Sequence, residues 1–457
     1  MIDASARAGP PNRGSIGSLT AIPRLVSTFS KRGRQALGRI FPPSLQGRTG
    51  ARALPAQEAL IELARALLST RGEASGVAIA QDLLGLYAGS TPAERSAFFS
   101  GLGERLGPDR GAIAAAWALY EAEGDSRLPG LSRAVEAPRQ ELFRRLNLAP
   151  GGTAALVRMR ADLLSAAGSG DPSHMLVEAD LGHVLQSWFN RGFLTMRRID
   201  WSSPASLLES LIRFEAVHHI RDWDDLRGRL DPPDRRCYAF FHPAMPEEPL
   251  IFVEVALTRG MADSVQDILS REREPIPAVN ADTANFYSIS NCQAGLRGIS
   301  FGHFLIKQVA TDLQRELPNL SRFCTLSPMP GFRGWLEETS DDENALLAGD
   351  WWQAETAEGL REWLTRRAAD YLVNARNGKG LPLDPVGRFH LGNGARLERL
   401  NWLADVSPKG MHESAGMMVN YLYDLPTIEE NHENYAEHGT IAVVPAISRI
   451  AGGARES

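Results

Sequence analysis

The chain reads as a helical half joined to an α+β half: an amino-terminal antiparallel helix bundle followed by a mixed α/β domain. Three observations carry that expectation. Apolar residues recur at helical spacing almost continuously from Pro55 to Phe193, and the periodicity breaks after Arg197-Arg198-Ile199-Asp200-Trp201. Beyond that point, short apolar runs suited to strands alternate irregularly with a few helices, without the repeated βα order of a doubly wound sheet. At 457 residues the chain is also too long for one ordinary core, so two or three domains are expected.

Residues 1–54 are set apart from both halves. Asp3 is the only acidic residue before position 50, against Arg7, Arg13, Arg24, Lys31, Arg32, Arg34, Arg39 and Arg48. This reads as a disordered basic tail or a targeting segment. Helices follow over Ala56 to Leu68, Val77 to Tyr87, Ala93 to Leu106, Ala112 to Glu123, Ala134 to Leu146, Ala154 to Ala167 and His174 to Phe189. Thr91-Pro92-Ala93-Glu94 has the form of a capping box with proline at the first helical position, and Asp171-Pro172 repeats the cap-then-proline device. Gly107-Pro108 and Gly151-Gly152 are stops. Residues 55–195 carry few side chains suited to catalysis, and their surplus Ala/Leu faces suit self-association as a dimer or tetramer.

In residues 196–430 a long helix is expected from Ala205 to Leu230, then strands at Cys237 to Phe241, Leu250 to Leu257 and Phe286 to Ser290. A helix over 303–317, a strand at Arg322 to Ser327, a helical hairpin over 349–375 and strands near Arg396 to Trp402 and Met417 to Tyr423 complete the domain. Residues 431–457 read as a tail, with His432, Glu433, Glu437 and His438 as solvated surface.

Composition removes several function classes. A net charge of -6 lacks the broad basic surface of a nucleic-acid binder. Cys237, Cys292 and Cys324 stand in unrelated contexts, suggesting neither a disulfide framework nor a zinc knuckle. No apolar run approaches the roughly 18–20 residues that cross a bilayer. His218-His219 falls inside the expected helix, where neighbouring side chains diverge and share no metal. No metal site is expected.

The densest signal runs from Asn285 to Gly331 as strand, glycine-rich turn, helix and strand. Phe304, Leu305, Val309, Leu313 and Leu317 give the helix its apolar stripe, and Pro318 stops it. The turn Arg297-Gly298-Ile299-Ser300-Phe301-Gly302 precedes it. Small residues there let backbone N–H groups approach an anion at the positive end of the helix dipole, so phosphate is the natural ligand. His303 lies within reach of such a phosphate. A plain structural turn accounts for the same residues, and the motif alone does not separate the two.

Several colinear blocks then carry a resemblance: His242-Pro-Ala-Met-Pro-Glu-Glu-Pro-Leu, Phe286-Tyr-Ser-Ile-Ser, Gly295-Leu-Arg-Gly, Leu326-Ser-Pro-Met-Pro-Gly-Phe332, Phe389-His-Leu-Gly-Asn-Gly-Ala395, Asn401-Trp-Leu-Ala-Asp-Val-Ser407 and Met418-Val-Asn-Tyr421. Together they resemble the malonyl-CoA decarboxylase family, densely over residues 236–425. The resemblance implies a helical oligomerisation domain and a catalytic domain of the GNAT acyltransferase fold that binds CoA with the loop Arg297 to His303. It places the family's catalytic serine at Ser327 and catalytic histidine at His390, with Ser288 and Tyr423 at polar pocket positions. Ser300 departs from the glutamate that animal members carry there, so any role needing that carboxylate is in doubt.

Elementary chemistry agrees with the serine and histidine. A malonyl thioester loses carbon dioxide without redox cofactor or metal, because its carbonyl accepts the electron pair as an enolate. A hydroxyl to orient the malonyl group and an imidazole to return a proton near neutral pH suffice. A CoA-dependent acyltransferase of the same fold and a non-enzymatic acyl-CoA sensor are the competing readings. The expected location is bacterial cytoplasm, with mitochondrial matrix second; the carboxy-terminal Ala454-Arg-Glu-Ser457 is no peroxisomal address.

Overall fold

The structure is a computed structural model that describes residues 55–70, 72–166, 168, 170–299, 305–339, 347–355 and 357–452. Contacts divide it into two compact units between Leu185 and Gln186. The first unit is helical, with helices Ala56–Ser69, Glu73–Ala88, Pro92–Arg105, Arg110–Glu123, Leu128–Val135, Pro138–Asn147 and Gly152–Ala166, and the helix Pro172–Trp188 runs across the division. Leu60, Leu63, Leu67, Leu83, Phe98, Phe99, Phe143, Leu146, Leu156 and Leu181 form its buried interior. The capping box expected at Thr91 is present: Glu94 N donates to Thr91 Oγ1 and Thr91 N donates to Glu94 Oε2 at 2.8 Å.

One expected helix is two. The run Ala134 to Leu146 breaks because Pro138 has no N–H and pushes Ala137 to an extended ψ of 135°. The preceding helices Arg110–Glu123 and Leu128–Val135 bury none of their residues. Trp117, Leu119, Leu128 and Val135 are consequently left between 47% and 50% exposed.

The second unit is built on one mixed sheet of strands β1 (Thr195–Ile199), β2 (Arg235–Phe241), β3 (Ile251–Thr258), β4 (Thr283–Asn291), β5 (Arg322–Thr325), β6 (Ser327–Pro328), β7 (Arg396–Asn401) and β8 (Met418–Leu422). β1 to β4 pair antiparallel in chain order, whereas β4 and β5 are parallel. β8 takes β5 and β6 along one edge and β7 along the other, all antiparallel. β2 is buried along its whole length, as its unbroken apolar run Cys237 to Phe241 requires of a strand covered on both faces.

Two expectations are corrected. The long helix Ala205 to Leu230 is instead two, Ala205–Phe214 and Trp223–Leu230, the second started by Asp222, whose side chain accepts from Asp225 N. Glu215 to Asp222 between them is non-helical, so His218 and His219 lie on a loop, His218 buried and His219 exposed. The stretch 431–452, read as part of a tail, is structured: helices Ile428–His438 and Pro445–Gly452 continue the domain, while Glu433, Glu437 and His438 are exposed. Asn431 donates to Gly394 O, and His432 Nδ1 lies 2.6 Å from Gly392 O. No described helix is long and apolar enough to cross a membrane.

Candidate active site

The site begins where two parallel strands part. β4 and β5 pair only from Thr283/Arg322 to Phe286/Thr325. Opposite β3, Glu254 pairs with Ser288 and Val255 with Phe286, so Tyr287 is an extra residue and β4 bulges there. One further bond, Leu326 N to Phe286 O at 2.9 Å, closes the parallel ladder. After it the chain leaves β4 and Ser327 pairs with Val419 of β8. Pro328 lacks an N–H to offer, and Met329 N donates to Ser414 Oγ at 3.1 Å. Ser327 is thereby fixed at the point of divergence.

His390 reaches Ser327 from a short helix, Pro385–Gly392. Asp384 caps its start by accepting from Gly387 N at 2.5 Å, with Pro385 at the first helical position. The carboxyl is fully buried, which pushes its pKa up to about 6. The helix ends in a Schellman motif: Ala395 N donates to His390 O at 3.1 Å and Gly394 N to Leu391 O at 2.9 Å. Gly394 has φ +81°, and a Cβ there would stand 2.0 Å from Ile428 O. The run Leu391-Gly-Asn-Gly394 is thus the device that pins the His390 backbone.

Three side chains then meet. His390 Nε2 lies 3.1 Å from Ser327 Oγ, and His390 Nδ1 lies 2.7 Å from the Tyr423 hydroxyl. Ser327 also donates to Thr325 Oγ1 at 2.8 Å. The imidazole stacks on Tyr421 with ring centroids 4.8 Å apart and planes inclined by 27°. Ser327, His390 and Tyr423 are 5%, 3% and 1% exposed. Burial with no charged partner pulls the His390 pKa down to about 3, and burial raises that of Tyr423. The ring is therefore neutral across the physiological range. A hydrolytic triad places a carboxylate behind its histidine to hold the imidazolium formed when serine is deprotonated. Here a phenol occupies that place, so the arrangement suits passing a proton between neutral groups rather than generating a serine nucleophile.

Comparison with known proteins identifies the family of the chain. Residues 192–456 match the family model described as malonyl-CoA decarboxylase C-terminal domain, and residues 106–189 match malonyl-CoA decarboxylase N-terminal domain. The chain belongs to the malonyl-CoA decarboxylase family. It is 36% identical to the mitochondrial malonyl-CoA decarboxylase of the goose Anser anser anser over 398 residues, 77% of this chain and 78% of that protein. Among solved structures, malonyl-CoA decarboxylase from Rhodopseudomonas palustris superposes with a TM-score of 0.84 at 51% identity, covering 87% of this chain and 100% of that one. The Agrobacterium vitis structure gives 0.82 at 47% identity, covering 86% and 99%.

Of the residues that resemblance to malonyl-CoA decarboxylases marked, the structure brings Ser327, His390 and Tyr423 together. Ser288 is not in that group. Its hydroxyl donates to both oxygens of the buried Glu215 carboxylate at 2.8 Å, and Glu215 in turn accepts from Val217 N and His218 N. In the expected CoA loop, Arg297 and Gly298 are exposed, Gly298 has φ +81°, and Ile299 is buried with its N–H on Leu296 O at 3.0 Å. Ser300, Phe301, Gly302 and His303 lie outside the described residues. The helix Leu305–Glu316 follows, burying Leu305, Ile306, Val309, Ala310 and Leu313.

Two thiols near the site are spent on packing. Cys324 is buried, donates to Asn285 Oδ1 at 3.1 Å and has its pKa pushed up to about 12 by burial; Cys292 is likewise buried and raised. Among the described residues, no group of three His, Cys, Asp or Glu side chains is arranged to hold a metal. Sequence reasoning missed Thr325, Tyr421 and Asp384. Asp384-Pro385 is the same cap-then-proline signal recognised at Asp171-Pro172, and it would have found the His390 helix.

Two outcomes follow for stability. Gly394→Ala should cost about 1–3 kcal/mol, through a left-handed backbone and the Ile428 carbonyl, and lower the thermal midpoint of the purified protein; an unchanged midpoint would contradict the contact. The lowered His390 pKa means that the unfolded chain binds a proton there first. Its contribution is complete above pH 6.5 and is lost as pH falls toward 3, on the order of a few kcal/mol. His390→Asn should flatten the wild-type decline in unfolding free energy between pH 6.5 and 4, measured by denaturant titration at each pH.

Proposed function

We propose that this protein converts malonyl-CoA to acetyl-CoA and carbon dioxide, with Ser327, His390 and Tyr423 carrying the chemistry. The observation that supports this most directly is the buried, uncharged Ser327–His390–Tyr423 chain. Loss of carbon dioxide leaves an electron pair shared between C2 and the thioester oxygen. The catalyst must hold the malonyl group so that the breaking bond lies out of the enolate plane, stabilise the oxyanion, and return one proton to C2.

The proton donor need not be a cation. An enolate carbon is a far stronger base than an alkoxide or a phenolate, so neutral hydroxyl and imidazole groups can protonate it once positioned. Ser327 meets the malonyl group, His390 supplies the proton path, and the Tyr423 hydroxyl fixes the imidazole from behind. The imidazolium expected from an unperturbed histidine is replaced by this neutral route. Burial serves the same end, since removing water strengthens each hydrogen bond to the developing enolate.

The second unit, from residue 196 through the helix Pro445–Gly452, is read as the GNAT-like catalytic domain, with CoA held by the loop Arg297 to His303. Parallel strands that separate after Phe286/Thr325 and a glycine turn before a helix support that reading. Residues 55–195 are read as the oligomerisation domain. The half-exposed Trp117, Leu119, Leu128 and Val135, on helices that bury nothing in the single chain, support a homodimer or tetramer contact. The higher identity to bacterial structures than to the goose mitochondrial protein favours the bacterial cytoplasm.

Carbon dioxide release from malonyl-CoA in the absence of any amine acceptor tests the reaction; no release would favour an acyltransferase or a sensor. Ser327→Ala, His390→Asn and Tyr423→Phe should each lower kcat by about 10²–10⁴-fold while CoA still binds. For assembly, Trp117→Asp combined with Leu119→Asp should shift the molar mass in solution, by light scattering, toward that of one chain. An unchanged mass would place the contact elsewhere.

A further inference from the structure

Thr325 lies two residues before Ser327 and is fully buried. Its Oγ1 accepts two hydrogen bonds, from Tyr421 N at 3.1 Å and from the Ser327 hydroxyl at 2.8 Å. A serine hydroxyl has a single proton, so one given to Thr325 is not available to His390. The 3.1 Å contact between Ser327 Oγ and His390 Nε2 must then be an N–H donating to serine. A neutral imidazole carries one N–H, which leaves Nδ1 bare to accept the Tyr423 O–H at 2.7 Å.

We propose that Thr325 is a positioning residue that sets the direction of every hydrogen bond in this chain and holds resting His390 as its Nε2–H tautomer. The bonds run one way: Tyr423 O–H to His390 Nδ1, His390 Nε2–H to Ser327 Oγ, Ser327 O–H to Thr325 Oγ1. Tyr421 ties the arrangement to the fold, since it supplies the backbone N–H that fills Thr325 and the ring on which His390 stacks.

For the reaction, the inference rests on the decarboxylase reading. When the C2–carboxylate bond breaks, the electron pair passes into the enolate. The Ser327 hydroxyl swings from Thr325 to C2 and gives up its proton, Ser327 Oγ takes Nε2–H from His390, and Nδ1 takes the phenol proton of Tyr423. A C2–H bond is formed and the Tyr423 O–H bond is broken; as the site opens for product release, water protonates His390 Nε2 and Nδ1 returns its proton to the phenolate, which restores the Nε2–H tautomer. With the proton on Nδ1 instead, Ser327 would donate to Nε2 and nothing behind it could replace the proton it lost.

Thr325→Val keeps the shape and removes the acceptor, whereas Thr325→Ser keeps the acceptor. Full-length protein labelled with ¹⁵N-histidine reports the tautomer, the His390 signals being those lost in His390→Asn. We expect Nε2 protonated and Nδ1 bare in the wild type, the proton moved to Nδ1 in Thr325→Val, and the wild-type pattern in Thr325→Ser. In steady state, Thr325→Val should lose about tenfold or more in kcat with KM nearly unchanged, and Thr325→Ser should recover kcat to within about threefold. A wild type with the proton on Nδ1 overturns the proposal, as does a Thr325→Val protein with wild-type tautomer and kcat. If Thr325→Val does not fold, the wild-type and Thr325→Ser spectra still decide. A wild type that releases no carbon dioxide defeats the decarboxylase reading, while the tautomer spectra still test the role of Thr325 independently.

Discussion

The arrangement depends on β4 and β5 being paired for four residues and then separated. A bulge at Tyr287 ends the regular ladder, and the chain of β5, paired with β8 since Cys324, loses β4 within Leu326 and Ser327 while staying on β8. A continuous parallel pair would bury Ser327 in a sheet with its neighbours set by strand spacing. Separation instead places the serine beside residues of β8, while Thr325, still in the ladder, anchors it. Tyr421 and Tyr423 arrive with β8 from the opposite direction, and the His390 helix fills the remaining side. The sheet sets the positions of four of the five side chains at the site.

The helix that carries His390 is fixed at both ends by devices that tolerate little change. A buried aspartate caps its start, and a left-handed glycine pressed against the Ile428 carbonyl closes its end. His432 and Asn431 add hydrogen bonds to the same turn. An eight-residue helix has little cooperativity of its own. Its caps and its contacts, rather than its propensity, keep the imidazole in register with Ser327.

Much of this was legible in the sequence. The helical half, the strands of the α+β half and the helix after the glycine turn were readable because long apolar periodicities and capping signals are local. Ser327 and His390 were readable only through family blocks, since neither Ser-Pro nor a lone histidine announces chemistry. The break at Glu215 to Asp222 was hidden because the segment keeps apolar residues at near-helical spacing, and tertiary contacts of Glu215 with Ser288 and Ser290 override it. The helix Ile428–His438 was hidden by its polar composition and buries only Ile428, whereas Pro445–Gly452 was hidden by its shortness and packs through Ile447 and Ala451. The role of Thr325 depends on strand pairing with Tyr421, almost a hundred positions away, which no local pattern encodes.

The site also differs from its surroundings in a way that reaches beyond catalysis. Ser327, His390, Tyr423, Tyr421 and Thr325 carry no net charge, and they lie below the surface. Mobile ions therefore have nothing there to screen. On the proposed reading, the phosphates of a CoA ester carry several charges and meet the exposed Arg297 and Gly298. On that reading ionic strength acts on capture of the ligand and leaves the proton path untouched, an electrolyte-sensitive entry set apart from an electrolyte-blind interior.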